Sequence, residues 1–191
     1  MKHDIPFESP YEYVELTQET EDGRRLYIYG EEKLPSVTTI LSGTKKGDSL
    51  KKWVEKVGEE EAERIRSEAA ARGSEMHAIL EKQLKEGSIW NYYPDTHEKK
   101  RAYKMACTIM DQGFPSIDQV YGCEVPLYYP GKYAGTAYAT AHNALHGTDI
   151  RKGVIMMCSV DGFYQEFVLE NREFDRAVEA WNDRVERFSL L

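Results

Sequence analysis

The sequence predicts a single mixed α+β unit, and three patterns predict it. Alternating apolar and polar residues recur near 11–30, 120–129 and 153–169, the period of half-buried strands. Apolar residues at helical spacing fill the stretches near 48–86, 96–112 and 172–188. No repeat, low-complexity tract or linker interrupts the 191 residues, so one domain spanning 1–191 is expected.

Each element has a local cause. Tyr, Val and Leu alternate with polar residues over 11–30, and Asp22-Gly23 supplies the turn of a β-hairpin. Leu34 to Leu41 reads as an extended entry into a short helix, with Ser36 able to cap it. A second helix begins near Asp48 or Ser49 and carries Leu50, Trp53, Val54 and Val57 to Gly58. Residues 59–71, rich in Glu and Ala, predict another helix. Residues 74–86 predict a further one, with Met76, Ile79, Leu80 and Leu84 on one stripe. Trp90 to Asp95 reads as a loop, followed by a helix over 96–112. Val120 to Tyr129 alternates as a strand that Pro130-Gly131 stops. The clearest hairpin covers 153–169 and turns at Asp161-Gly162. The final helix, 172–188, puts Phe174, Ala177, Val178, Trp181, Val185 and Phe188 on its buried side.

Composition narrows the class. Hydrophobic content of 41% and charged content of 30% are those of an ordinary globular chain. No apolar run approaches the ~20 residues needed to span a bilayer, and the N-terminus has no apolar signal core, so a cytoplasmic protein without a membrane partner is expected. Three cysteines, Cys107, Cys123 and Cys158, form no CxxC pair, which points to reduced thiols, with Cys107 and Cys158 buried. The net charge of −8 argues against a simple DNA coater. Two basic groups stand out locally: Lys45, Lys46, Lys51 and Lys52, then Lys99, Lys100, Arg101 and Lys104. They read either as phosphate contacts or as solvated helix faces.

Few residues are placed to do chemistry. His77 sits four residues before Glu81 on a predicted helix, so the two share a face. His142 and His146 have the same spacing on residues 137–146, which read as a helix; they form a transition-metal pair if both face outward, or a chance pairing. Asp149 falls in a loop before Arg151-Lys152, and Asp161 belongs to its turn. No nucleophile elbow, phosphate-cradling glycine loop or His-Glu-x-x-His occurs.

Four stretches carry a resemblance. They are Leu34-Pro35-Ser36-Val37-Thr38-Thr39-Ile40-Leu41 with Leu50 and Trp53; Arg72-Gly73-Ser74-Glu75-Met76-His77, running into Ala78 to Glu81; Glu124-Val125-Pro126-Leu127 with Tyr133-Ala134-Gly135-Thr136; and Lys152 to Met157 with Asp161-Gly162 and Trp181. In this order the chain resembles the PD-(D/E)XK nuclease superfamily. The likeness is to its RecB-like exonucleases, which include the mitochondrial genome maintenance exonuclease and phage relatives.

The resemblance implies a restriction-endonuclease-like fold, classed α+β or α/β, in which helices flank a small mixed sheet. That sheet is expected to use residues near 120–129 and 153–169, with helices around 48–86 on one side. It implies Mg²⁺- or Mn²⁺-dependent exonuclease action on single-stranded or duplex DNA ends, in recombination, repair or replication, in a bacterial or phage-infected cell. His77 takes the place of a metal-holding histidine, or is a hydrogen-bonded histidine at a helix–sheet contact. Glu124 matches a strand glutamate that faces the metal or orients one of its ligands, or is an exposed carboxylate. Arg72-Gly73 resembles the turn before the histidine helix. There Gly73 allows DNA to approach the backbone, or only breaks the helix. Lys45 and Lys46 fall where DNA contacts are expected.

The likeness stops at Thr136. In the family, a strand with a metal-binding Asp and a second strand with an Asp/Glu-x-Lys motif follow. Here Ala137 to His146 reads as a helix. Two strands, a turn and most of a helix are missing, roughly 30 to 45 residues. An internal deletion joining Thr136 to Ala137 is the preferred reading over divergence in place. A chain without catalytic carboxylates and lysine is expected to be inactive. A DNA-binding or protein-interaction module, with a protein partner or a second copy of itself, is the alternative.

Overall fold

The computed structural model describes residues 5–44, 49–89, 91–136 and 139–190, and is mixed α+β. Among the described residues it has seven strands, six α-helices and one 3-10 turn. No helix among them is long and apolar enough to cross a membrane. The contacts group the chain into two compact units. Unit 1 comprises Met1–Glu8, Lys46–Cys123 and Ile155–Phe167, and unit 2 comprises Ser9–Lys45, Glu124–Val154 and Val168–Leu191.

Unit 1 is mainly helical. Helix α2 (Ser49–Val57) ends at Gly58, whose φ of 90° no side-chain-bearing residue adopts easily. Helix α3 (Glu59–Glu86) then runs for 28 residues. Glu59, Glu60 and Glu61 in its first turn offset the helix dipole, and Gly87 closes its end in the left-handed conformation. Helix α4 (His97–Gln112) starts at Thr96, whose hydroxyl accepts from the Lys99 N–H. Ile79 of α3 packs with Met105, Ala106, Ile109 and Met110 of α4, and with Phe114 and Cys158, to form the core of this unit. Met76, Leu80 and Leu84 flank that core, as their stripe predicts.

Unit 2 is built on short strands. Strands β1 (Thr17–Glu21) and β2 (Arg24–Tyr29) turn at Asp22-Gly23, as expected, and β3 (Glu32–Pro35) adds a third antiparallel strand. Helix α1 (Val37–Gly43) is capped by Ser36, whose Oγ accepts from the Thr39 N–H at 3.0 Å. Strand β4 (Pro126–Tyr129) pairs antiparallel with β5 (Tyr133–Thr136). Helix α5 (Ala139–His146) follows, and helix α6 (Asn171–Ser189) closes the chain. Val37, Ile40, Leu127, Tyr133, Ala141 and Val185 form this unit's core. The remaining hairpin, β6 (Lys152–Cys158) and β7 (Tyr164–Glu170), turns through Gly162 at a φ of 89°.

Several expectations are corrected. The described strands do not make one mixed sheet from 120–129 and 153–169; they form separate sheets β1-β2-β3, β4-β5 and β6-β7. The cause at β4 is local: Gly131, with a φ of 68°, returns the chain so that Tyr129 faces Tyr133, and closing so short a loop costs little entropy. The strand expected from Val120 also begins only at Pro126. Glu124, with a φ of 53°, breaks the extended backbone, and Val120 instead bridges Phe7 in parallel. The helices expected over 59–71 and 74–86 are one helix, so Arg72-Gly73 is not a turn. One glycine costs about 1 kcal/mol against alanine, too little to stop a helix already propagating on both sides. In α6 Ala177 is exposed, while Val185 is buried as expected.

Candidate functional site

His77 lies on α3 and is exposed. Glu81, one turn on, accepts an ion pair from Lys85 at 2.5 Å. Glu124 is exposed and stands outside β4 in the left-handed conformation, so the strand position expected of it is not the one it occupies. His77 belongs to unit 1 and Glu124 to unit 2. Among the described residues, no three His, Cys, Asp or Glu side chains gather where they could hold a metal ion. Magnesium and manganese take about six oxygens, and one imidazole with one carboxylate is a poor donor set for either.

The residues expected at DNA have other duties or lie elsewhere. Arg72 is largely buried, 16% exposed at its side chain, and its guanidinium donates to Glu98 Oε2 at 2.9 Å, which ties α3 to α4. That contact holds the Glu98 carboxyl below the usual carboxylate range. At Gly73 an added Cβ would meet nothing within 4 Å. Lys45 and Lys46 lie outside the described residues, as does the junction at Ala137. In the second basic group, Lys99 pairs with Asp95 at 2.8 Å and Arg101 with Glu98 at 3.1 Å. Solvated, acid-paired faces account for those two cations.

Arg151 and Lys152 do have a setting, though not with Asp149. Arg151 bonds Asp175 of α6 at 2.7 Å, and Lys152 lies 3.8 Å from Glu170. With Asn171 and Arg172 they line an open cavity of about 450 Å³. Arg172 and Asp175 gave no signal in the sequence beyond being charged helix residues.

The most organised polar cluster surrounds the histidine pair of α5. His142 is 8% exposed and its ring centroid is 4.6 Å from that of His146. Tyr11 packs edge-on against His142 at 4.7 Å, and Tyr13 edge-on against His146 at 5.5 Å. Burial, reinforced by His146, pushes the His142 pKa down. The condition that both rings face outward is not met at His142. Its spacing was legible in the sequence; Tyr11 and Tyr13, more than a hundred residues away, were not.

The thiols behave as expected in one case and nearly so in another. Cys158 is buried and Cys107 half-buried, and burial raises the pKa of both. No family model matches the chain, and no curated protein or solved structure does either.

Proposed function

We propose that the chain is a PD-(D/E)XK-type module, derived from a metal-dependent DNA exonuclease, that lacks the catalytic centre and does not cleave DNA in this form. The observation that carries the reading is the passage from β5 to α5. The strand ends at Thr136 and the helix begins at Ala139, and two intervening residues cannot hold a strand, a turn and a second strand. The acid pair and lysine that would polarise the phosphate and activate water belong to that segment. The four motif stretches on either side support the kinship.

A second reading, an interaction module on the same scaffold, is favoured by the β6–β7 hairpin. Ile155 and Phe163 are 59% and 57% exposed, and Met157 and Phe167 are also uncovered. Large apolar side chains on a two-stranded ribbon are what a sheet presents when its neighbours are gone, and such faces bind other proteins.

The test is a nuclease assay on end-labelled single-stranded and duplex DNA with Mg²⁺ or Mn²⁺. No cleavage is expected. Metal-dependent cleavage that His77→Ala or Glu124→Ala abolishes overturns the proposal. Salt-sensitive DNA binding without cleavage supports a retained DNA-binding role, because phosphate contacts release counterions.

A further inference from the structure

The histidine cluster of unit 2 is ordered down to the proton. Asn143 is fixed by the backbone of Ile150: its Nδ2 donates to the Ile150 carbonyl at 3.1 Å, and its Oδ1 accepts from the Ile150 N–H at 2.8 Å. Oδ1 is therefore an acceptor, and the Thr148 hydroxyl, 2.8 Å away, donates to it. A hydroxyl has one proton to give. Thr148 Oγ1 must then accept from His142 Nδ1, which lies 2.8 Å away. In the neutral ring this leaves the lone pair on Nε2.

That lone pair is poorly used. Its protein neighbour is the Tyr13 hydroxyl at 3.5 Å, longer than a good O–H···N contact. On the adjacent turn, His146 Nε2 is buried and no hydrogen bond satisfies it. An unsatisfied buried nitrogen in a native structure calls for a partner. Imidazole with Nδ1–H held by an outer oxygen and Nε2 open is the form that ligates metals. The spacing also fits. Two imidazoles on one tetrahedral ion, bound at 2.0–2.1 Å, hold their centroids about 5 Å apart; these rings are 4.6 Å apart and inclined at 53°.

We propose that His142 Nε2 and His146 Nε2, with the Tyr13 hydroxyl beside them, form a site for a divalent transition-metal ion of the zinc class. The donors are borderline-soft nitrogens, so Zn²⁺ or Ni²⁺ is preferred over Mg²⁺. The site does not depend on the nuclease kinship and uses none of the residues considered there.

The experiment is calorimetric titration of the untagged full chain with Zn²⁺, repeated with Ni²⁺ and Mg²⁺, beside NMR of the histidine rings. One equivalent of Zn²⁺ is expected to bind saturably and to shift the His142 and His146 ring resonances, while Mg²⁺ does neither. His146→Gln should abolish the binding and Thr148→Val should weaken it roughly 10–100-fold, as loss of an outer oxygen does. His97→Ala, at an exposed position at the start of α4, should bind as the parent does. The ring-resonance measurement on the unaltered chain keeps the test decisive if a variant fails to fold. No saturable binding at millimolar Zn²⁺, unmoved His142 and His146 resonances, or undiminished binding in a folded His146→Gln overturns the proposal.

Discussion

Replacing Gly73 with alanine should stabilise the protein, and replacing Gly113 with alanine should destabilise it. Gly73 lies well inside α3, and a Cβ there meets open space. Alanine should therefore gain most of the helix propensity that glycine forgoes, about 0.5–1 kcal/mol. In a chain of this length that raises Tm by about 1–4 °C. Gly113 terminates α4, and a Cβ there would lie 2.6 Å from Met156 Sδ, 2.6 Å from Tyr164 Oη and 3.0 Å from the Ile109 carbonyl oxygen. Carbon atoms rest at about 3.5–4.0 Å, so side chains and a backbone carbonyl must all give way, at a cost of about 1–3 kcal/mol. Urea denaturation followed by circular dichroism at the helix band, with thermal melts beside it, reads both variants. A fall in Tm for Gly73→Ala would refute the continuous helix and restore a turn at Arg72-Gly73. An unchanged Gly113→Ala would show that the chain does not close so tightly around the end of α4.

Two further outcomes follow from ionisation. Arg72 holds the Glu98 pKa below its unfolded value, so the pair's stabilisation is complete above the unfolded glutamate value of about 4.3 and is lost as pH falls through the lower folded value. Glu98→Gln should remove that part of the acid limb in pH-dependent melts, and an identical acid limb in the variant would count against the pairing. Burial raises the Cys158 pKa, so the unfolded chain releases this proton first and stability declines as pH rises past the unfolded thiol value of about 8.5. Cys158→Ser should flatten that alkaline slope, and mass spectrometry after iodoacetamide should find Cys158 alkylated far more slowly in the native protein than in urea. Equal native and unfolded labelling rates would sink the buried-thiol assignment.

What was legible in the sequence depended on how far apart the deciding atoms lie. The Ser36 cap and the Asp22-Gly23 and Asp161-Gly162 turns are settled within four residues, and each stands where the sequence puts it. The expected break at Arg72-Gly73 does not form because a glycine's cost is small against the 28-residue helix around it. The strand over 120–129 failed because alternation does not reveal that Glu124 takes a positive φ or that Val120 finds Phe7. For the sites, residue type and motif likeness pointed to His77, an exposed helix position. Spacing alone marked His142 and left its setting open, because that setting comes from Tyr11 and Tyr13 at the far end of the chain. Helical spacing identifies a face; only the tertiary partners decide whether that face meets solvent.

The stretch Tyr133-Ala134-Gly135-Thr136 carries much of the sequence resemblance, and its first two residues have a structural use that requires no catalysis. Tyr133 is almost wholly buried; its ring meets Trp181 edge-on at 5.0 Å and its hydroxyl lies 2.6 Å from Thr140 Oγ1. One side chain thereby fastens β5 to both α5 and α6. Ala134 is fully buried and its backbone bridges Ser36 in parallel, joining β5 to the residue that caps α1. A two-stranded ribbon such as β4–β5 is marginal alone, and these attachments hold it in the unit 2 core. Any chain with this ribbon needs Tyr133 and Ala134, or residues like them, to keep it in place. Their presence is therefore explained by packing and carries no weight for activity, which must be decided by the residues after Thr136.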